Sequence, residues 1–242
     1  MIVRFATLLL AAACLLWAGL AGPPAVGANA MSQLGKRIAA GETFRAELLE
    51  PMLEVPEQTL AGGGCYSADL RGRMLVATRI AELALEASQV QTLNLRLATA
   101  RTQVKRLLAC DPYDSLGWLA LYWTTGHLDG FGGSVFDLLA MSYRTGPLEG
   151  WIAFRRNPQA AFAFAEMSEA MQARIVGEWR HLVIAAQHEP AAIALDRVAP
   201  AYRQAVRNDR DRIPAVAWAT GWQFLERRGS SIDVTDHPRR QR

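Results

Sequence analysis

From Ser67 to Ala109 the apolar residues return every three or four positions, and that spacing constrains the fold more than any other feature of the chain. Val76, Ile80, Leu83 and Ala87 form one stripe; Leu93, Leu97, Ala100, Val104 and Leu107-Leu108 form a second. Each stripe is one face of an amphipathic helix. Arg96, Arg101, Lys105 and Arg106 take the remaining faces of the second segment, so the pair predicts an antiparallel helical hairpin. No stretch of the chain alternates apolar and polar residues with period two, so the expected class is all-α with essentially no sheet.

The breakers divide the rest into further helices. Asp111-Pro112 ends the second segment, because a residue before proline is pushed out of the helical region. Ser115 to Thr125 is apolar nearly all round, the mark of a helix buried between neighbours, and Gly126 is expected to interrupt it. Val135 to Tyr143 is a fourth helix closed by Gly146-Pro147, and Asn157-Pro158 looks like a fresh start, with Asn157 as N-cap. Met171 to Gln187 is the most regular helix, Pro200 divides the next segment in two, and Pro214 to Arg228 is the last. Before the hairpin, Phe44 to Leu49 predicts a short helix stopped by Pro51.

The first thirty residues have the order of a secretory leader: Arg4, the uncharged apolar run Phe5 to Leu20, then Gly22-Pro23-Pro24 and the small-residue site Ala28-Asn29-Ala30. Cleavage is expected after Ala30, with an uncleaved membrane anchor as the alternative, since the run is slightly short of a span. Cys14 does not mark a lipoprotein, because Ala11 rather than a leucine-like residue precedes it by three. The expected organisation is therefore a leader over 1–30, an N-terminal arm with a glycine-rich hinge over 31–64, a helical domain over 65–228 and a disordered basic tail over 229–242. The location implied is periplasmic or secreted, or facing the periplasm from the inner membrane if the leader stays. A membrane contact is expected only in that second case.

Loss of the leader removes one ionisable side chain, Arg4, from a net charge of +3, and part of the remaining excess lies in the Arg-rich tail. The folded body is close to neutral, which argues against nucleic acid, whose binding draws on clustered basic charge. Cys65 and Cys110 remain. In an oxidising compartment such a pair reads as one disulfide, and otherwise as two buried thiols.

Chemistry is sparse. Glu178, His181 and His188 lie with Arg174 along one stripe of the Met171–Gln187 helix. Such a stripe binds zinc when further ligands close it, but here it points mostly away from Met171, Ile175 and Trp179, so a solvated face is expected. Asp111 and Asp114 are expected as turn and N-cap residues rather than paired catalytic acids. No phosphate-binding or nucleophile-elbow motif is present, and no cofactor or catalytic residue is expected. Tyr113, Trp118, Tyr122, Trp123, Tyr143 and Trp151 are core residues or a stacking surface for sugar or peptide. Arg144, Arg155 and Arg156 pair with Glu149 and the aspartates near Asp111, or bind an anion. The candidate binding surface is Tyr113, Tyr143, Arg144, Arg155 and Arg156.

The pattern Gly-Trp-(Leu/Ile)-Ala-(Leu/Phe) occurs at Gly117–Leu121 and again at Gly150–Phe154. With Pro112 as a closing proline, Trp118 and Leu121 fall where the tetratricopeptide repeat has its tryptophan and leucine, so the central unit resembles that family. Tyr122 stands where that family has a small residue, Thr125 where it has tyrosine, and Pro147 falls one position late. The resemblance implies hairpins stacked as a short superhelix, with both tryptophans in inter-helix seams. A narrower resemblance, carried by Asp111-Pro112-Tyr113-Asp114, Trp118-Leu119-Ala120, Met141–Glu149 and Arg155-Arg156 after a leader, is to periplasmic helical-repeat proteins encoded with exopolysaccharide assembly systems. It implies an accessory role in polysaccharide biosynthesis or export, as an exported scaffold whose partner is a cell-envelope protein or the polysaccharide itself. The alternative activity is a helical envelope hydrolase using Glu178 and His181, with or without zinc.

Overall fold

A computed structural model describes residues 2–54, 65–147, 149–196 and 200–227. The glycine-rich hinge at 61–64 and the tail at 229–242 lie outside the described residues. Among those described, the protein is all-α, with no strand. Its contacts divide it into two compact units, Met1–Thr145 and Gly146–Arg242, a partition that differs from an arm over 31–64 and one helical domain over 65–228.

Unit 1 holds α1 (Ile2–Ala39), α2 (Ala46–Glu54), α3 (Ser67–Glu86), α4 (Val90–Cys110), α5 (Ser115–Asp129) and α6 (Val135–Thr145). The hairpin predicted at 67–109 is α3 and α4, and its packing surface is built from small residues. Ala77 and Ala81 of α3 meet Leu97 and Ala100 of α4, with Trp123 of α5 closing the cluster. Cys65, just before α3, is disulfide-bonded to Cys110 at the end of α4, with Cα atoms 6.0 Å apart. The bridge therefore closes the open end of an antiparallel hairpin. On the chain-entropy account, a separation of 45 residues contributes about 4 kcal/mol. Urea unfolding with and without reductant should show a loss of roughly that size, and identical midpoints would remove the bridge from the stability of the fold.

Two helix ends differ from the sequence expectation, each for a local reason. Gly126 does not stop α5, which runs on to Asp129; it is glycine because the Phe131 ring lies where a side chain would be. Pro51 does not stop α2, since the helix continues to Glu54 at the cost of one backbone donor. α1 runs as one helix to Ala39. Its end packs on α3, burying Met31 and Ile38, whereas Leu9, Leu10, Leu15, Leu16 and Trp17 are exposed. Among the described residues no helix is long and apolar enough to cross a membrane.

Unit 2 holds α7 (Gly150–Phe162), α8 (Glu169–Ile184), α9 (His188–Asp196), α10 (Pro200–Asn208) and α11 (Ala215–Arg227), with short 3-10 turns at Phe164–Glu166 and Arg210–Arg212. Pro200 opens α10, as its position predicts. Asn157-Pro158 does not start a helix: α7 passes through both residues, and the Asn157 side chain is used for a buried contact instead of a cap. Ile152, Ile175, Trp179, Leu182, Leu195 and Tyr202 make the core of this unit.

Candidate functional site

The chemically richest place in the described protein lies inside unit 2. α7 carries Arg156 and Asn157 on its buried face, α8 carries Ile175 and Glu178 one turn apart, and α10 brings Tyr202. Arg156 is fully buried; its Nε donates to Glu178 Oε1 at 2.9 Å and its Nη2 donates to the same oxygen at 2.6 Å. The same Nη2 also donates to the Gly146 carbonyl at 3.1 Å. Asn157 Nδ2 donates to the Ile175 carbonyl at 2.9 Å and to Glu178 Oε2 at 3.3 Å, while its Oδ1 accepts from the Tyr202 hydroxyl at 2.6 Å. Every member thus answers another, which is the condition under which buried polar groups are tolerated.

The electrostatics follow from that closure. Burial first, and the Glu178 carboxylate second, push the Tyr202 phenol well above its ordinary range, against the smaller opposing effect of the Asn157 hydrogen bond. Tyr202 is therefore a fixed donor at neutral pH. Glu178, neutralised by a guanidinium and screened from water, is held as a structural counter-ion.

This corrects one expectation. Glu178 does not lie on a solvated face with His181: it is buried against α7, while His181 on the same helix is exposed. Helical spacing alone put Glu178 at the border of the stripe, and a buried arginine opposite it decided the side. The structure thus separates the two residues of the hydrolase reading into different environments. No group of three or more His, Cys, Asp or Glu side chains able to hold a metal occurs among the described residues.

Of the candidate binding residues, Arg156 and Tyr143 are buried, Arg155 is half-buried, and Tyr113 and Arg144 are exposed. Arg156 turns to Glu178 rather than to the aspartates near Asp111. Those aspartates belong to Arg71 of α3, whose Nε lies 2.5 Å from Asp114 Oδ2 and whose Nη2 lies 3.7 Å from Asp111 Oδ2. Asp114 is also the N-cap of α5, accepting from Gly117 N at 2.7 Å, as its position before the helix predicts. Neither echo tryptophan fills a seam. Trp118 is half-buried, with its Nε1 donating to the Pro112 carbonyl at 2.8 Å, and Trp151 is 46 % exposed.

The feature that sequence reading missed is an aromatic cleft in unit 2. Trp179 and Val183 of α8, His188 and Ala191 of α9, and Trp218 and Trp222 of α11 line a narrow cleft, with about 10 Å³ open to the centre of a water-sized group. Trp218 and Trp222 stack at 5.4 Å between ring centroids, and Trp179 meets Trp218 edge-on at 6.2 Å. Gly221 lets α11 come close, since an ideal Cβ there would touch Val183 and the His188 ring at 3.4 Å. His188 Nδ1 is buried beside it without a hydrogen-bond partner. The only signal in the sequence was the four-residue spacing of Trp218 and Trp222, which also fits an ordinary packing stripe. Comparison with known proteins gives no matching family model, no matching curated protein and no matching solved structure.

Proposed function

We propose that the chain is an exported helical scaffold of the cell envelope that binds a protein partner and serves polysaccharide biosynthesis or export. The observation that carries the export half is the Cys65–Cys110 bridge, because such a bond persists in oxidising compartments. The leader pattern of residues 1–30 supports it from the sequence, and Met31, the first residue after that pattern, is buried. The binding half rests on how the polar groups are used. The charges best placed to do chemistry in unit 2 are matched to one another, whereas the tryptophan cleft is an open concave feature of the same unit.

The size of the cleft limits its occupant. Only about 10 Å³ is open to the centre of a water-sized group, about the room one water needs, so the cleft suits the tip of one apolar side chain of a partner and not a whole metabolite. Aromatic anchors of this kind dominate protein interfaces. The polysaccharide context comes from the resemblance in the Asp111–Arg156 region and stands or falls with it.

The test combines location, redox state and phenotype. The chain should appear in the envelope fraction with Cys65 and Cys110 oxidised, and its deletion should lower exported polysaccharide. Trp218→Ala should fail to restore the phenotype at normal protein abundance. A cytosolic chain with two free thiols overturns the export reading; full restoration by Trp218→Ala overturns the cleft.

A further inference from the structure

We infer that leader removal creates a partner for a buried carboxylate: the new α-ammonium of Met31 pairs with Asp69. This rests on the export reading, and specifically on cleavage after Ala30. In that step water adds to the Ala30 carbonyl, the Ala30–Met31 bond breaks, and the leader departs with a carboxylate. Met31 keeps the amine, which is protonated at neutral pH.

The geometry begins with two glycines. An ideal Cβ on Gly72 of α3 would lie 2.4 Å from the Met31 carbonyl oxygen, and one on Gly35 of α1 would lie 2.7 Å from Gly72 Cα. Met31 and Gly35, one turn apart on α1, thus both press their backbone against Gly72 of α3. Asp69 precedes Gly72 by one turn on the same face of α3, which puts it within side-chain reach of the Met31 backbone.

Asp69 has a use for such a group. It is 1 % exposed; its Oδ2 accepts from Arg73 Nε at 2.8 Å, and its Oδ1 has no hydrogen-bond partner. A buried carboxylate oxygen without a donor is costly, and each one in a native fold calls for a reason. While the leader is attached, the Met31 nitrogen lies inside α1 as one peptide among many. After cleavage it becomes a cation at the N-terminus of the shortened helix, an end that disfavours positive charge. A carboxylate beside it removes that penalty, and the same carboxylate lies in the first turn of α3, where its charge is favoured. Cleavage thus converts an orphaned acceptor and a misplaced charge into one pair, locking the processed end of α1 onto α3.

The experiment uses the processed chain recovered from the envelope. Its N-terminus is sequenced first; a start other than Met31 overturns the cleavage reading and the pairing with it. Given a Met31 start, the folded chain is treated with an amine-reactive ester at neutral pH, and labelling is mapped separately at Met31, Lys36 and Lys105. The Met31 amine should react at least about tenfold more slowly than in Asp69→Asn, with both lysines unchanged. Equal rates overturn the pairing and leave cleavage standing. If Asp69→Asn does not fold, a chain carrying Gly-Ser before Met31 replaces it. That extension moves the ammonium off Asp69 and should lower Tm by roughly 5 to 10 °C; an unchanged Tm overturns the pairing.

Discussion

Glu178→Ala should destabilise unit 2 by about 3 to 5 kcal/mol, the cost of leaving a buried guanidinium without its counter-ion. Arg156 is fully buried and gives Glu178 two of its donors, so no water can take the place of the lost carboxylate without opening α7 from α8. Asn157 loses one of its two acceptors in the same step. Amide hydrogen exchange across Glu169–Ile184 and Gly150–Phe162 measures the effect directly, as lost protection confined to unit 2. The double variant Arg156→Met with Glu178→Leu is the control: apolar groups of similar volume remove both charges and should recover most of the loss. Protection in Glu178→Ala within about 1 kcal/mol of the parent would mean that water reaches Arg156 and that the network is not closed.

The class of fold was legible because it depends on near neighbours in the chain. Helical spacing at 67–109, the N-cap at Asp114 and the stop at Gly146-Pro147 are local facts, and the structure keeps each of them. The two cysteines were legible as a pair because few alternatives remain for two. Partner choice was not legible. Arg156 and Glu178 are 22 positions apart, and nothing in the spacing of either helix says that their faces meet. Asn157-Pro158 misled for a related reason: asparagine before proline has the form of a helix start, and only the Ile175 carbonyl and Glu178 across the interface give Asn157 another use. The aromatic cleft was hidden because Trp179, Trp218 and Trp222 satisfy helical periodicity whether they fill a core or line a cavity. The need for glycine at position 72 was hidden for the same reason, since it comes from the close approach of α1.

Trp179→Ala should cost about 3 to 5 kcal/mol, the range for a large aromatic removed from a core, whereas Trp118→Ala should cost much less. The sequence echo points the other way, since Trp118 and Trp151 are the repeated residues and Trp179 stands outside the pattern. Burial decides the order. Trp179 is 2 % exposed, donates from Nε1 to the Ala191 carbonyl at 2.9 Å and meets the edge of Trp218, so it joins α8 to both α9 and α11. Truncation leaves a cavity continuous with the cleft and removes the indole donor that ties α8 to the Ala191 carbonyl. Trp118 is half-buried and has one hydrogen bond, to Pro112, six residues earlier in its own turn. Its loss removes part of an apolar contact already shared with water. The comparison needs no assumption about absolute stability, since both variants are read against one parent by urea unfolding and by exchange in each unit separately. A larger loss for Trp118→Ala than for Trp179→Ala would return the organising role to the Gly-Trp motif. With the expected order, the motif caps the start of α5 at the surface, and the tryptophan that holds a unit together is the one that closes the wall of the cleft.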